Sequence, residues 1–182
     1  MSAIEFETEA NALGLNTPGL EDQTGVDLSW LDNVHVVSGA SRLCADIAAE
    51  MRVEPGAIVN IVLCKIIDQS GEHPTVVLMA GDMPCDAEQV PRALNLTGAP
   101  VSRLTNAEIK DLTGADADRL FTIPLAQKWP TVMDASLQRF DKLYTRAGGR
   151  SCLIETSYGE LKALTGALVS YALAPTDWRL KT

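Results

Sequence analysis

The stretch Ala57-Ile58-Val59-Asn60-Ile61-Val62-Leu63-Cys64-Lys65-Ile66-Ile67, followed by Asp68-Gln69-Ser70-Gly71 and then Thr75-Val76-Val77-Leu78-Met79-Ala80, decides how this chain folds. The first run is continuous, apolar and rich in β-branched residues, and turn-forming residues bound it, so it reads as a buried strand. The second run has the same character and ends at Gly81-Asp82. Together they predict a β-hairpin.

Upstream, Leu43, Ile47 and Ala48 recur at helical spacing over Ser41 to Met51, opened by Ser38 or Ser41 and closed before Pro55-Gly56. Downstream, Asp86 to Leu94 predicts a helix capped by Asp86, and Val101 to Leu104 a short strand. Thr105 with Glu108 has capping-box spacing for a helix to Leu112, with Gly114 as its stop. Thr131 to Met133 reads as a strand, Ser136 to Phe140 as a turn or short helix, and Lys142 to Thr145 as a strand ending in Ala147-Gly148-Gly149. Ser151 to Thr156 is its return, Tyr158 to Leu164 a helix, and Ala167 to Leu173 a last strand or helical turn. Hairpins interspersed with separate helices predict a single α/β domain with a mixed, mostly antiparallel sheet and surrounding helices.

At 182 residues with 46% hydrophobic content and near-zero mean hydropathy, the chain has enough for one domain with a sizeable core. Residues 1–33 are expected to form an acidic N-terminal extension, and 34–182 the domain. No apolar run reaches membrane-spanning length, and the first residues carry acids where a signal peptide carries positive charge, so the expected location is the cytosol, with no membrane partner. Cys44, Cys64, Cys85 and Cys152 form no CxxC pair, and His35 and His73 are the only histidines. Reduced structural thiols are expected, with no metal or cofactor.

The net charge of −9 weighs at first against a polyanionic partner, but its distribution does not. Glu5, Glu7, Glu9, Glu21, Asp22, Asp27 and Asp32 put −7 into the first 34 residues. From Arg119 to Arg150, six basic residues face only Asp134 and Asp141. Such a window fits either a solvated helix face or contact with phosphates.

Three pieces occur in order: Lys65 at the end of the apolar run, Lys128-Trp129-Pro130-Thr131-Val132-Met133-Asp134, and the glycine turn Ala147-Gly148-Gly149-Arg150. In this arrangement, with Thr113-Gly114 between them, the chain from about Val53 to Leu173 resembles the YbaK/ProX-type aminoacyl-tRNA editing domain. The resemblance implies a barrel-like sheet, hydrolysis of wrongly charged tRNA, and the tRNA 3' end as partner, with an aminoacyl-tRNA synthetase as a further partner. Lys65 would approach that 3' end as the catalytic lysine, and Asp134 would line the site as the aspartate of a P-T-x-x-D pattern. Gly148 and Gly149 would shape the site through their backbone.

Gly114 would enter the loop that forms the amino-acid pocket. There the family shows G-x-x-x-P, and an ungapped count places Asp118-Arg119-Leu120-Phe121-Thr122 at that segment. Pro124 comes two positions late, and with that offset removed Leu120 stands where the glycine would be. Asp118, Leu120, Thr122 and Pro124 are thus the expected pocket residues. From the residues alone, Lys65 also reads as an edge lysine, Asp134 as a helix cap and Gly148-Gly149 as a hairpin turn.

Two functions follow. The first is a trans-acting deacylase for mischarged tRNA, with Cys- or Ala-tRNA(Pro) as candidate substrates. The second is a degenerate member of the fold that binds a ligand or regulates a partner, favoured by the altered loop and the acidic extension. No G-x-S-x-G turn, Walker A loop or G-x-G-x-x-G motif supports other chemistry.

Overall fold

The computed structural model describes residues 33–38, 43–148 and 152–173. Except for Asn33, the expected extension 1–33 lies outside them, as do Gly149 and Arg150.

The hairpin forms as expected. Strands β1 (Val34–Val36), β2 (Val59–Asp68) and β3 (Gly71–Ala80) come first, and β2 pairs antiparallel with β3 from Val59↔Ala80 to Asp68↔Gly71. Asp68 closes the turn by accepting from the Ser70 amide at 2.7 Å. The strand runs three residues beyond Lys65, because Ile66 and Ile67 stay in register with His73 and Glu72. Lys65 is therefore inside the strand and not at its end.

Strand β4 (Val101–Arg103) covers the far half of β2, antiparallel, while β5 (Thr131–Asp134) lies parallel to β3 and β8 (Leu168–Ser170) parallel to β5, giving the order β4-β2-β3-β5-β8. A second sheet, antiparallel throughout, has the order β1-β7-β6, with β6 at Leu143–Arg146 and β7 at Cys152–Thr156. The two sheets touch at one parallel bridge, Ile58 to Tyr144, and do not close into a barrel. The barrel-like closure implied by the resemblance is corrected to two sheets, because β4 occupies the edge of β2 that β6 would have to follow.

Among the described residues five α-helices pack around the sheets: α1 (Cys44–Met51), α2 (Val90–Ala93), α3 (Asn106–Thr113), α4 (Thr122–Lys128) and α5 (Tyr158–Thr165). α3 has the expected capping box, with Thr105 and Glu108 exchanging side-chain to backbone bonds, and Gly114 ends it at φ 73°. Ser157 and Glu160 cap α5 in the same way, and Gly166 ends it at φ 63°. α4 is not legible as a helix in the pocket-loop reading of Asp118 to Pro124. Pro124 occupies its first turn, where no amide hydrogen is needed, and Thr122 to Ala126 are all buried.

Ile66, Leu78, Met79, Ile123, Met133, Leu137, Leu143, Ile154 and Leu161 are among the fully buried side chains. Removing one of them costs about 2–5 kcal/mol. Among the described residues, no helix is long and apolar enough to cross a membrane.

Candidate functional site

The site arises from a gap in the hydrogen-bonding of β2. On its outer edge, β4 ends where Thr105 begins to cap α3, and the last rung is the Leu104 amide donating to the Leu63 carbonyl at 2.9 Å. From the other end, β6 reaches β2 only at Ile58. Between these points Val59, Asn60, Ile61 and Val62 form one wall of a cleft of about 360 Å³. Leu104, Ile109 of α3, Ala117 and Leu120 supply apolar wall, and Cys44, Arg103 and Arg146 complete the lining.

The charge of the cleft is one-sided. Arg103 and Arg146 line it, and among the described residues none of the lining is Asp, Glu or His. In a chain of net charge −9 this is a local cationic pocket that attracts an anion. Its described lining offers no carboxylate or imidazole to act as a general base. The Cys44 thiol does not supply one either, since burial raises its pKa, partly offset by the positive charge of Arg146.

The pocket segment and the glycine turn are locked together. Phe121 bridges Ala147 in an antiparallel contact, the Gly148 amide donates to the Leu120 carbonyl at 3.4 Å, and Thr122 Oγ1 donates to the Arg146 carbonyl at 3.0 Å. This fixes Arg146 and Leu120 on one rim. Gly148, at φ 77°, lies against the Phe121 ring, where a Cβ would overlap ring carbons.

Of the residues expected at the site, Leu120 alone lines this cleft, and Gly148 and Thr122 support its rim. Pro124 is buried in α4, and Gly114 is an exposed helix stop. Asp118 falls in the 3-10 turn Ala117–Arg119, and Gly149 lies outside the described residues.

Lys65 is not part of the lining. Its ammonium pairs with Glu108 at 2.9 Å and Glu72 at 3.2 Å, and these bonds, Glu108 first, raise its pKa. Glu108 is held down to about 2, chiefly by the Thr105 backbone amide and then by Lys65. Asp134 is 3% exposed and accepts from the amides of Ser136 at 2.8 Å and Leu173 at 3.3 Å. That is the capping arrangement, away from the cleft.

Asn60, Arg103 and Cys44 were missed in the sequence. Asn60 had a readable signal, since a polar residue poorly suited to strands interrupts an otherwise apolar run. Arg103 had none, because its place depends on where β4 stops.

The profile of the family described as "Aminoacyl-tRNA editing domain" matches residues 39–164. That span contains every lining residue of the cleft. Among solved structures, a proposed trans-editing enzyme for prolyl-tRNA synthetase is 23% identical with TM-score 0.65, covering 78% of this chain and 85% of its own. The hypothetical protein APE2540 is also 23% identical at TM-score 0.65, covering 92% of this chain and 97% of its own. A scaffold used in computational grafting of linear epitopes is 24% identical at TM-score 0.65, covering 78% and 86%. At these identities the likeness is one of fold. The comparison with curated proteins returns no match.

Proposed function

This chain belongs to the aminoacyl-tRNA editing domain family, and we propose that it hydrolyses the ester of a mischarged tRNA in trans, with the 3' end bound in the cleft beside β2. The observation that carries this reading is the cleft itself. It joins two arginines, suited to phosphate oxygens of the terminal nucleotide, to an apolar pocket suited to a small side chain.

The chemistry is compatible with a lining that offers no general base. An aminoacyl ester is already activated, and a ribose hydroxyl can position the attacking water. The protein then contributes orientation, positive charge and backbone donors.

Leu120 narrows the amino-acid end of the pocket, which favours the small Cys or Ala side chains carried by tRNA(Pro). An aminoacyl-tRNA synthetase that releases such products would be the natural partner, in the cytosol. Lys65 acts in this reading as a positioning residue. Through Glu108 it holds the cap of α3, and α3 places Ile109 in the cleft wall.

The test is deacylation of a panel of mischarged tRNAs, including Ala- and Cys-tRNA(Pro), by wild type, Arg146→Gln, Lys65→Ala and Lys65→Arg. Turnover by wild type, strongly reduced in Arg146→Gln, supports the reading. A loss in Lys65→Ala that Lys65→Arg restores marks positioning; a loss that Lys65→Arg does not restore would return Lys65 to the chemistry.

Leu120 at the place of the family's loop glycine favours a second reading, a binding module without turnover. It predicts that wild type binds aminoacyl-RNA yet hydrolyses nothing above the rate in buffer.

A further inference from the structure

We propose that the main chain of Ile61 holds the aminoacyl group of the substrate as if that group were one residue of an antiparallel strand. This rests on the deacylase reading and deepens it by naming what in the cleft recognises the amino acid.

Within a strand, the N–H and C=O of one residue point to the same edge, and successive residues alternate. The Leu63 carbonyl accepts from the Leu104 amide, and the Ile67 amide donates to the Pro100 carbonyl, both across the β4 edge. Ile61 has the same parity, so both its backbone groups face that edge. The register Cys64↔Arg103, Lys65↔Ser102, Ile66↔Val101 would place Asn106 opposite Ile61. Asn106 has already entered α3, because Thr105 is the helix cap.

The partner that the ladder calls for has turned away, and β6 arrives only at Ile58. Among the described residues nothing hydrogen-bonds to the N–H or C=O of Ile61, and the Asn60 carboxamide beside it is likewise unbonded. Both residues line the cleft. Backbone groups of a half-buried strand are seldom left so.

An aminoacyl ester carries a donor, its ammonium, and an acceptor, its carbonyl oxygen, on either side of one Cα. That is the pattern of one residue in a hydrogen-bonded antiparallel pair. The Ile61 N–H donates to the ester carbonyl and its C=O accepts from the ammonium. As water adds to the acyl carbon, the carbonyl oxygen gains negative charge and the Ile61 N–H stabilises it. The acyl C–O bond to the ribose then breaks. The ribose oxygen leaves as a hydroxyl with one proton from the water; the water oxygen stays on the acyl carbon as the second carboxylate oxygen of the free amino acid, and its other proton passes to solvent. The selected class is therefore α-aminoacyl esters with an unmodified ammonium.

The experiment titrates ¹⁵N-labelled wild type with 3'-amino-3'-deoxyadenosine bearing alanine in amide linkage, and with its N-acetylalanyl counterpart. The Ile61 amide resonance is expected to move with the first compound, and the second to bind at least tenfold more weakly. An unmoved Ile61 resonance, equal binding of the two compounds, or binding of neither overturns the inference.

A kinetic arm compares Ile61→Pro with Ile61→Ala on Ala-tRNA. Proline removes only the edge-facing N–H, which β3 does not use, and strands tolerate it at such positions. A loss of about a hundredfold in kcat/KM with proline, against less than tenfold with alanine, is expected, since one oxyanion donor is worth about that much. Equal rates overturn the inference. The deacylase reading has a separate fate: it falls if wild type hydrolyses no mischarged tRNA, whatever the resonances show.

Discussion

Gly148 packs against the Cδ2–Cε2 side of the Phe121 ring at φ 77°, so that a Cβ at this position would overlap those ring carbons. Two separate constraints thus demand glycine, one from backbone conformation and one from packing. Gly148→Ala is expected to destabilise the protein by about 2–3 kcal/mol, the sum of a left-handed backbone penalty and overpacking. Urea unfolding monitored by fluorescence measures this. A loss under about 0.5 kcal/mol would mean that the turn can relax away from Phe121.

Leu120 is 7% exposed and forms part of the wall of the cleft. Leu120→Ala is expected to shift selectivity toward larger amino acids, raising the ratio of Val-tRNA to Ala-tRNA hydrolysis by roughly tenfold, as one to two methylenes of pocket space allow. It should also cost about 2–3 kcal/mol of stability through lost burial. Competition assays with both tRNAs measure the ratio, and an unchanged ratio would place the side-chain pocket elsewhere.

Among the described residues, Arg103 and Arg146 are the only charged ones lining the cleft. If each neutralises a phosphate of the single-stranded acceptor end, Arg103→Gln and Arg146→Gln should each lower the slope of log affinity against log salt by about 0.7. Binding of uncharged tRNA across a salt series checks this. A slope unchanged in both variants would separate the arginines from the phosphates.

The Lys65–Glu108 pair gives a pH signature with a definite sign. Glu108 is depressed from 4.5 to about 2, so its contribution to stability is full above pH 4.5 and is lost as pH falls toward 2. Lys65 is raised from 10.5, so its contribution is full below that value and fades as pH climbs past it. Glu108→Gln should flatten the acid limb of a stability profile between pH 4.5 and 2. A wild-type acid limb retained in the variant would assign it to other carboxylates, of which Asp68, also held near 2, is the first to examine.

Burial pushes the Cys85 thiol up to about 11, and it also raises Cys44, Cys64 and Cys152. All are free cysteines. At pH 7.5 the folded protein should resist alkylation by iodoacetamide for hours, whereas urea-unfolded protein should take up label at all of them within minutes. Mass spectrometry distinguishes the two. Rapid labelling of Cys44 in the folded state would show that the cleft is more open than its lining implies.

The local elements were legible in the residues. The hairpin followed from two β-branched runs and a turn at Asp68, and the cap of α3 from Thr105 and Glu108, because each is decided within a few positions. The helix α4 was not. Its segment was read as the pocket loop because the resemblance puts G-x-x-x-P there, and only packing against the rest of the fold makes Thr122 to Ala126 helical.

Lys65 shows the same limit for the site. A charged residue after an apolar run reads as a strand end, yet the strand continues to Asp68, and the ammonium is taken up by Glu72 and Glu108, which lie seven and 43 positions away. Asp134 could be read as a cap or as site wall, and the amides of Ser136 and Leu173 match the first. The cleft itself depends on where β4 leaves β2, which no local pattern encodes.

The open edge of β2 also bears on solubility. Unpaired strand backbone is where chains adhere to one another, and proteins commonly shield it with charge or keep it short. Here the gap ends at the Ile58–Tyr144 bridge on one side and at the Leu104–Leu63 rung on the other, with Arg103 and Arg146 nearby. A foreign strand would find too few rungs to zip onto, while a single amino acid has room. The gap that would fit one residue of a substrate is, by the same measure, too short to offer a foreign strand a ladder.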